Sequence, residues 1–133
     1  MSRLVTAALV AAGIAYCCLR WRPSRVEIRG SSMVPLLWAG DWALTVPARR
    51  VGVGDVVVIE HPHRPGFEMV KRIVAAPGDL DPSGDPLGPD GWWVEGDNPD
   101  ESTDSRHFGP IARDDILAHV RLVYWPPHRR RLL

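Results

Sequence analysis

A serine pair and a single lysine are the residues whose types suggest covalent chemistry in this chain. Ser31 and Ser32 lie in the segment Gly30 to Pro35, and Lys71 lies further on among apolar residues. A serine hydroxyl is a weak nucleophile at neutral pH until a neighbouring base takes its proton. Lysine provides such a base when burial lowers its pKa, because desolvation disfavours the charged amine. The sequence therefore suggests a serine nucleophile activated by a lysine.

Lys71 is the only lysine among sixteen basic residues, the other fifteen being arginines. Arginine cannot be deprotonated in a protein, whereas a buried lysine can. On a strand from Glu68 to Val74, alternation places Lys71 between Met69 and Ile73 on one face. Two alternatives stay open. The lysine is a chance survivor in an arginine-rich composition, or its stem lies on apolar surface while its amine reaches water.

The polar stretch Ser102–Arg106 offers support for a lysine base. If it is buried, its groups must satisfy their own hydrogen bonds, and Asp104 can do so by pairing with Arg106. A lysine that acts as a base also needs a partner that orients its amine. A serine hydroxyl suits this task because it both donates and accepts hydrogen bonds.

Length and composition bound the size of the protein and its partners. The 133 residues allow one compact domain with an appendage. Sixteen acidic residues balance sixteen basic ones, so no overall field favours nucleic acid. The adjacent Cys17 and Cys18 predict no disulfide framework. His61 and His63 lack the further ligands of a metal site, and no metal or other cofactor is expected.

An apolar run, Leu4 to Leu19, precedes the rest of the chain. Its sixteen uncharged residues are few for a spanning helix, but they suffice if Trp21 and the flanking arginines lie at the membrane interface. We interpret the run as an uncleaved, single-pass membrane anchor, with a cleaved signal peptide as the alternative. Arginines are more numerous after the run than before it, which favours a cytoplasmic domain by a small margin. The face of the membrane therefore stays open.

The remaining pattern predicts a mainly β domain of short antiparallel strands behind this one helix. The predicted strand segments are Val26–Arg29, Leu36–Trp38, Trp42–Leu44, Val56–Ile59, Glu68–Val74, Trp92–Glu95 and Ile116–Trp125. Alternation in the last of these places Ile116, Ala118, Val120, Leu122 and Tyr124 on one face. Trp38 and Trp42 belong either to the core or to an apolar surface that rests on the bilayer.

We divide the chain into three parts: an anchor with its linker (residues 1–25), a catalytic domain (26–126) and a basic tail (127–133). The tail is either a solvated end or a contact with anionic lipid. The segment Leu80–Gly91 is rich in Asp, Pro and Gly and is predicted to be a loop. Whether that loop gates a site is not predicted.

Seven motifs in order resemble the type I signal peptidase family. They are Gly30-Ser31-Ser32-Met33-x-Pro35, Gly40-Asp41, Gly54-Asp55-Val56-Val57, Lys71-Arg72, Pro77-Gly78-Asp79, Gly96-Asp97-Asn98 and Ser102-Thr103-Asp104-Ser105-Arg106-x-Phe108-Gly109-Pro110. The resemblance covers about residues 30–125. It implies a membrane-anchored serine endopeptidase with a Ser/Lys dyad, which cleaves leader peptides after small residues. The expected partners are a precursor's leader peptide and the lipid bilayer, not nucleic acid.

Position by position, the resemblance implies these roles: Ser32 as nucleophile, Lys71 as general base, Ser102 as the hydroxyl that orients the lysine, the Ser32 and Gly30 amides as oxyanion hole, Asp104 and Arg106 as a structural pair, and Met33 and Pro35 as contacts to the peptide. Some members carry a hydroxyl at the position of Gly30. In this chain a backbone amide would have to contribute instead.

The segment Leu80–Glu95 is too short for the inserted domain of larger family members. The compact form resembles mitochondrial inner-membrane peptidases and nickel superoxide dismutase maturation proteases. General removal of signal peptides and dedicated maturation of one precursor therefore stay open. Two further alternatives are a self-cleaving repressor-type domain and a catalytically silent membrane-anchored β module. Substrate identity and oligomeric state are not predicted.

Overall fold

In the computed structural model, which describes residues 3–133, the N-terminal apolar run forms one long helix, α1 (Arg3–Trp21). Alanine and leucine favour this helix, and Pro23 prevents its continuation. None of its residues is buried against the rest of the protein. By length and composition α1 is able to cross a membrane. At 1.5 Å per residue it spans about 28 Å, close to the thickness of a bilayer core.

Seven strands follow α1 and form one antiparallel sheet, which confirms the predicted mainly β fold. The strands are β1 (Ser24–Glu27), β2 (Trp42–Pro47), β3 (Val56–Glu60), β4 (Glu68–Ala75), β5 (Trp93–Glu95), β6 (Ile116–Trp125) and β7 (Arg131–Leu132). Their order is β1-β2-β6-β3-β4-β5, and β7 pairs with β6. A single-turn helix, α2 (Ser105–Phe108), lies beside β5.

The sheet is covered on both faces, as β3 shows. Val56 and Val58 pack into a cluster with Ile28, Met33, Leu37, Ala43, Val120 and Val123. Val57 and Ile59 pack on the opposite face with Ile73, Val94, Ile111 and Ile116. A strand buried on both faces is uniformly apolar, which explains the β-branched run of β3.

The predicted single face of β6 is wrong, because Ile116 packs in the second cluster whereas Val120 packs in the first. Val123 is fully buried, whereas Leu122 and Tyr124 are only half-buried. Register shifts against β2 and β3 insert extra residues into β6. A β-bulge of this kind breaks the two-residue period, so alternation no longer predicts which side chains are buried.

Leu36–Trp38 forms turns instead of the predicted strand. The Leu37 amide donates to the Met33 carbonyl at 2.9 Å, and the Asp41 carboxylate accepts from the Trp38 amide at 2.9 Å. Trp38 is exposed, as is Trp42. The structure therefore assigns both tryptophans to the surface, not to the core.

The C-terminal segment is bound to the sheet. Arg131–Leu132 pairs with β6, and Leu133 packs against the first core cluster. The Arg129 guanidinium donates to the buried carboxylate of Asp41 at 2.6 Å. This ion pair ties the segment to the turn that follows the Gly30–Pro35 segment.

The loop Leu80–Gly91 has its own internal contacts. The Asp81 carboxylate accepts from the amides of Ser83 and Asp85 at 2.8 and 3.0 Å. Leu87 is buried against Ala75 and Trp93. These bonds fold the segment upon itself.

Candidate active site

Ser32 lies just beyond the end of β1, where the chain turns out of the sheet. Gly30 has a φ of 75°, a conformation that glycine adopts without the steric cost of a side chain. Met33 is buried in the first core cluster. The neighbouring Met33 side chain thus anchors the turn, while Ser32 itself stays half-exposed.

Lys71 reaches this serine from β4. Its Nζ lies 3.0 Å from Ser32 Oγ, although the residue is only 3% exposed. Burial lowers the Lys71 pKa below its usual range, and the nearby Arg106 guanidinium acts in the same direction. The Asp104 carboxylate opposes them. The net effect favours a neutral amine, the form that is able to accept a proton.

Asp104 is the centre of the polar cluster and is fully buried. It accepts hydrogen bonds from Ser102 Oγ at 2.6 Å, the Gly96 amide at 2.9 Å, and Arg106 Nε and Nη2 at 2.9 and 2.6 Å. Burial alone raises the pKa of this carboxyl, but the bonds from Arg106, Ser102 and Gly96 outweigh it and hold the pKa well below its usual range. Asp104 is therefore ionised, and hydrogen bonds occupy most of its acceptor sites.

Ser102 does not make the expected hydrogen bond to Lys71. Its hydroxyl proton goes to Asp104, and within residues 3–133 the Lys71 amine bonds only to Ser32. An ionised carboxylate is a stronger acceptor than an amine, which explains the choice. A hydroxyl that donates its proton can still accept a hydrogen bond at its oxygen.

Residues of the turn after β5 complete the site, although the sequence motif gave them no individual roles. The Asn98 amide donates to the Ser32 carbonyl at 2.8 Å, and its side chain donates to the Ser31 carbonyl at 3.0 Å. A bidentate pair from Arg72 to Asp97, at 2.9 and 2.8 Å, holds this turn against β4. The turn after β5 thereby holds the backbone of Ser31 and Ser32 in place.

Gly96 admits no side chain. A Cβ there would lie 2.3 Å from Ser102 Oγ and 2.6 Å from the Ser32 carbonyl oxygen. The glycine thus permits the close approach of the serine segment to the polar cluster. This constraint is invisible in the sequence because Gly96 has the appearance of an ordinary turn glycine.

We expect Gly96→Ala to lower turnover by about 10²-fold, since the backbone of Ser32 would be displaced by a fraction of an ångström to an ångström. Hydrolysis of a leader peptide by the purified variant measures this loss. Gly91→Ala is the matched control, because its nearest contact would be an ordinary 3.4 Å. Equal turnover of both variants would contradict the close-approach argument.

The amides of Gly30 and Ser32 point to no protein acceptor. Within residues 3–133 neither donates a hydrogen bond. Free backbone amides next to a nucleophile are the usual donors to a developing oxyanion. Their arrangement is compatible with the oxyanion hole that the resemblance implies.

A groove of about 550 Å³ leads to Ser32 and Lys71. Its lining includes Val26–Arg29 and the first half of β4, from Glu68 to Lys71. Met33 lines the groove, whereas Pro35 is exposed and is not among the lining residues; the contact of either residue to a peptide stays a prediction. None of the residues in the described loop Leu80–Gly91 lines the groove.

The β3–β4 loop supplies a wall of the groove that the sequence did not predict. Phe67, Arg64 and His61 line it. The Arg64 guanidinium lies 4.1 Å from the centroid of the Phe67 ring, and the His61 ring packs at 4.9 Å against Phe108. The loop is therefore packed against the domain and presents aromatic and cationic groups to the groove.

Comparison with known proteins gives a consistent result. The model of a family described as signal peptidase, peptidase S26, matches residues 1–80 and 82–125. Mitochondrial ATP-independent inner membrane protease subunit 1a of Arabidopsis thaliana is 37% identical over 124 residues, covering 81% of this chain and 74% of that protein. Mitochondrial inner membrane protease subunit 1 of Xenopus tropicalis is 32% identical over 126 residues (85% and 75%), and that of Schizosaccharomyces pombe is 37% identical over 115 (74% and 72%).

Proposed function

Because this chain belongs to the signal peptidase family, peptidase S26, we propose that it is a membrane-anchored serine endopeptidase that removes leader peptides from precursor proteins. The observation that carries the proposal is the 3.0 Å contact between Lys71 Nζ and Ser32 Oγ. A buried lysine has few reasons to lie against a serine hydroxyl in a groove unless the pair reacts. A silent binding module would need neither residue.

In the proposed reaction Ser32 Oγ attacks the scissile carbonyl while Lys71 takes the hydroxyl proton. The Ser32 and Gly30 amides stabilise the resulting oxyanion. Lys71 then returns the proton to the leaving amine, and the carbon–nitrogen bond breaks. This leaves an ester between Ser32 Oγ and the carbonyl carbon of the leader. A water molecule, deprotonated by the same amine, hydrolyses that ester and restores Ser32.

The polar cluster would keep Lys71 neutral while holding it in place. A free carboxylate near the amine would favour the charged ammonium and weaken the base. Asp104, however, is occupied by Arg106, Ser102 and the Gly96 amide. We propose that Asp104 and Arg106 are structural and that Ser102, fixed by Asp104, offers its oxygen to the Lys71 amine during turnover.

The peptide would lie in the groove as an extended strand. β1 is an edge strand, since it pairs only with β2, and its continuation Ile28–Arg29 forms a groove wall. Unpaired backbone groups on a sheet edge bind an extended segment by adding a strand. Such binding recognises the backbone of the peptide through main-chain hydrogen bonds.

The function is tested by cleavage of a panel of leader-bearing precursors by the full chain in liposomes. The panel pairs several secretory precursors with a nickel superoxide dismutase precursor. Ser32→Ala should abolish cleavage, whereas Ser31→Ala, the neighbouring hydroxyl, should retain it. Cleavage of many leaders indicates a general signal peptidase, and cleavage of the dismutase leader alone indicates a dedicated protease. Cleavage that survives Ser32→Ala, or no cleavage at all, would overturn the proposal.

We expect kcat/KM to rise with pH and then to level off. Lys71 acts only when it is unprotonated, so activity is lost as the pH falls below its pKa. Because burial lowers the pKa of Lys71 below its usual range, the rise should occur at a lower pH than for an exposed lysine. A pH–rate profile of peptide hydrolysis measures it. A profile that rises only at the pH of a free lysine would contradict the assignment of Lys71 as base.

A further inference from the structure

Five arginines lie where α1 joins the catalytic domain. Arg20, Arg22 and Arg25 surround the end of α1 in sequence, and Arg49 and Arg50 lie in the β2–β3 loop. All five are exposed. Within residues 3–133 none of them forms an ion pair. We call this group the arginine collar.

The fold brings the two halves of the collar together. Arg49 Nη2 donates to the carbonyl oxygen of Arg20 at 2.7 Å, at the helix end whose free carbonyls carry partial negative charge. The strand register agrees, because Ser24 at the start of β1 lies opposite Thr45 near the end of β2. The β2–β3 loop therefore emerges at the same end of the sheet as α1.

The charge of this end is positive even when its neighbours are included. Arg113 donates to backbone carbonyls of Ala48 and Arg49, so it adds a sixth guanidinium. The carboxylates on neighbouring elements are Asp55, Asp114 and Asp115. Two of them are engaged locally, Asp55 with the Gly52 amide and Asp115 with the Ala112 amide. The exposed guanidinium groups thus have unused donors.

We propose that the arginine collar binds the anionic headgroups of the lipid bilayer that α1 enters. The apolar part of α1 ends beside these arginines, so the collar lies at the depth of the headgroups. The planar guanidinium donates two parallel hydrogen bonds to phosphate oxygens, which a hydrated ammonium does not match. Binding at both α1 and the β2–β3 loop would fix the orientation of the sheet, and hence of the groove, relative to the membrane.

The test uses the full chain reconstituted in phosphatidylcholine vesicles with spin-labelled lipids. Electron spin resonance gives the association of spin-labelled phosphatidylglycerol relative to spin-labelled phosphatidylcholine. We expect wild type to prefer phosphatidylglycerol and Arg49→Gln with Arg50→Gln to lose most of that preference, by up to about fivefold for each arginine. The preference should also shrink in about 1 M salt, where charges are screened within about 3 Å.

Two further double variants make the result decisive. Arg22→Gln with Arg25→Gln removes collar charges whose side chains make no hydrogen bond within residues 3–133, so it decides the matter if the loop variant fails to fold. Arg130→Gln with Arg131→Gln removes the same charge from the segment that pairs with β6 and should keep the preference. Equal association of both lipids with wild type, or an equal loss in the C-terminal control, would overturn the proposal. Because binding is measured without a substrate, the result is independent of peptidase activity.

Discussion

Lys71→Arg should abolish peptide cleavage although it keeps the positive charge and nearly the length of the side chain. Arginine cannot lose its proton at any accessible pH, so it is unable to take the proton of Ser32. Removal of a general base costs about 10²–10⁴-fold in rate. The measurement is kcat for a leader peptide, with thermal unfolding followed in parallel. An arginine variant that retains wild-type turnover would exclude Lys71 as the base.

Lys71→Met is the companion variant that separates catalysis from folding. It removes the amine but keeps an unbranched chain at a site that is 3% exposed. Because the folded-state pKa of Lys71 lies below its unfolded value, the lysine costs stability at pH values below the folded pKa, and this cost fades as pH rises toward the unfolded value. We therefore expect the methionine variant to be inactive and to melt at a higher temperature than wild type near neutral pH. Lower stability with lost activity would instead indicate a structural lysine.

Asp104→Ala should be the most destabilising single substitution in the domain. It would leave the Ser102 hydroxyl, the Gly96 amide and the Arg106 guanidinium without their acceptor. The Arg106 side chain is about a third exposed, but the Ser102 hydroxyl and the Gly96 amide are buried donors, and each buried donor left without an acceptor costs about 1–3 kcal/mol. Urea unfolding of the full chain in detergent, followed by tryptophan fluorescence, measures the free energy of unfolding. We expect turnover to fall as well, because the Ser102 hydroxyl loses the acceptor that fixes it.

Asp97→Ala provides a matched control. Asp97 also accepts two hydrogen bonds from an arginine, Arg72, but both side chains of this pair are partly exposed. Partly exposed pairs contribute about 1 kcal/mol or less. If Asp97→Ala cost as much as Asp104→Ala, burial would not be the source of the effect.

The folded-state pKa of Asp104 is depressed. The contribution of Asp104 to the free energy of unfolding is therefore present above the unfolded pKa of about 3.9 and is lost as the pH falls through the folded value.

The β architecture and a serine–lysine pair followed from the sequence for a physical reason, whereas the choice of Ser32 over Ser31 came from the family resemblance. Apolar periodicity and turn residues can be recognised within short stretches of sequence. A single lysine among apolar neighbours is conspicuous in a chain whose other basic residues are arginines. The details that escaped prediction depend on contacts between distant segments. Bulges in β6 change which of its side chains face each core cluster, and Asp104 accepts the hydrogen bond of the Ser102 hydroxyl, which was expected to orient Lys71. Gly96 and Asn98 acquire their roles only because a turn after β5 meets a turn after β1.

The strand order has a consequence for how the protein is made. β2 lies between β1 and β6, and Trp42 pairs with Trp125 across more than half the chain. At about 5–20 residues per second, synthesis of the intervening chain takes about 4–16 s, longer than most small β domains need to fold. During those seconds α1 is already exposed to the membrane machinery, whereas β2 and β3 still lack β6, the strand that lies between them. The domain is therefore expected to stay unfolded, and still able to be threaded across a bilayer, until after its anchor has been inserted.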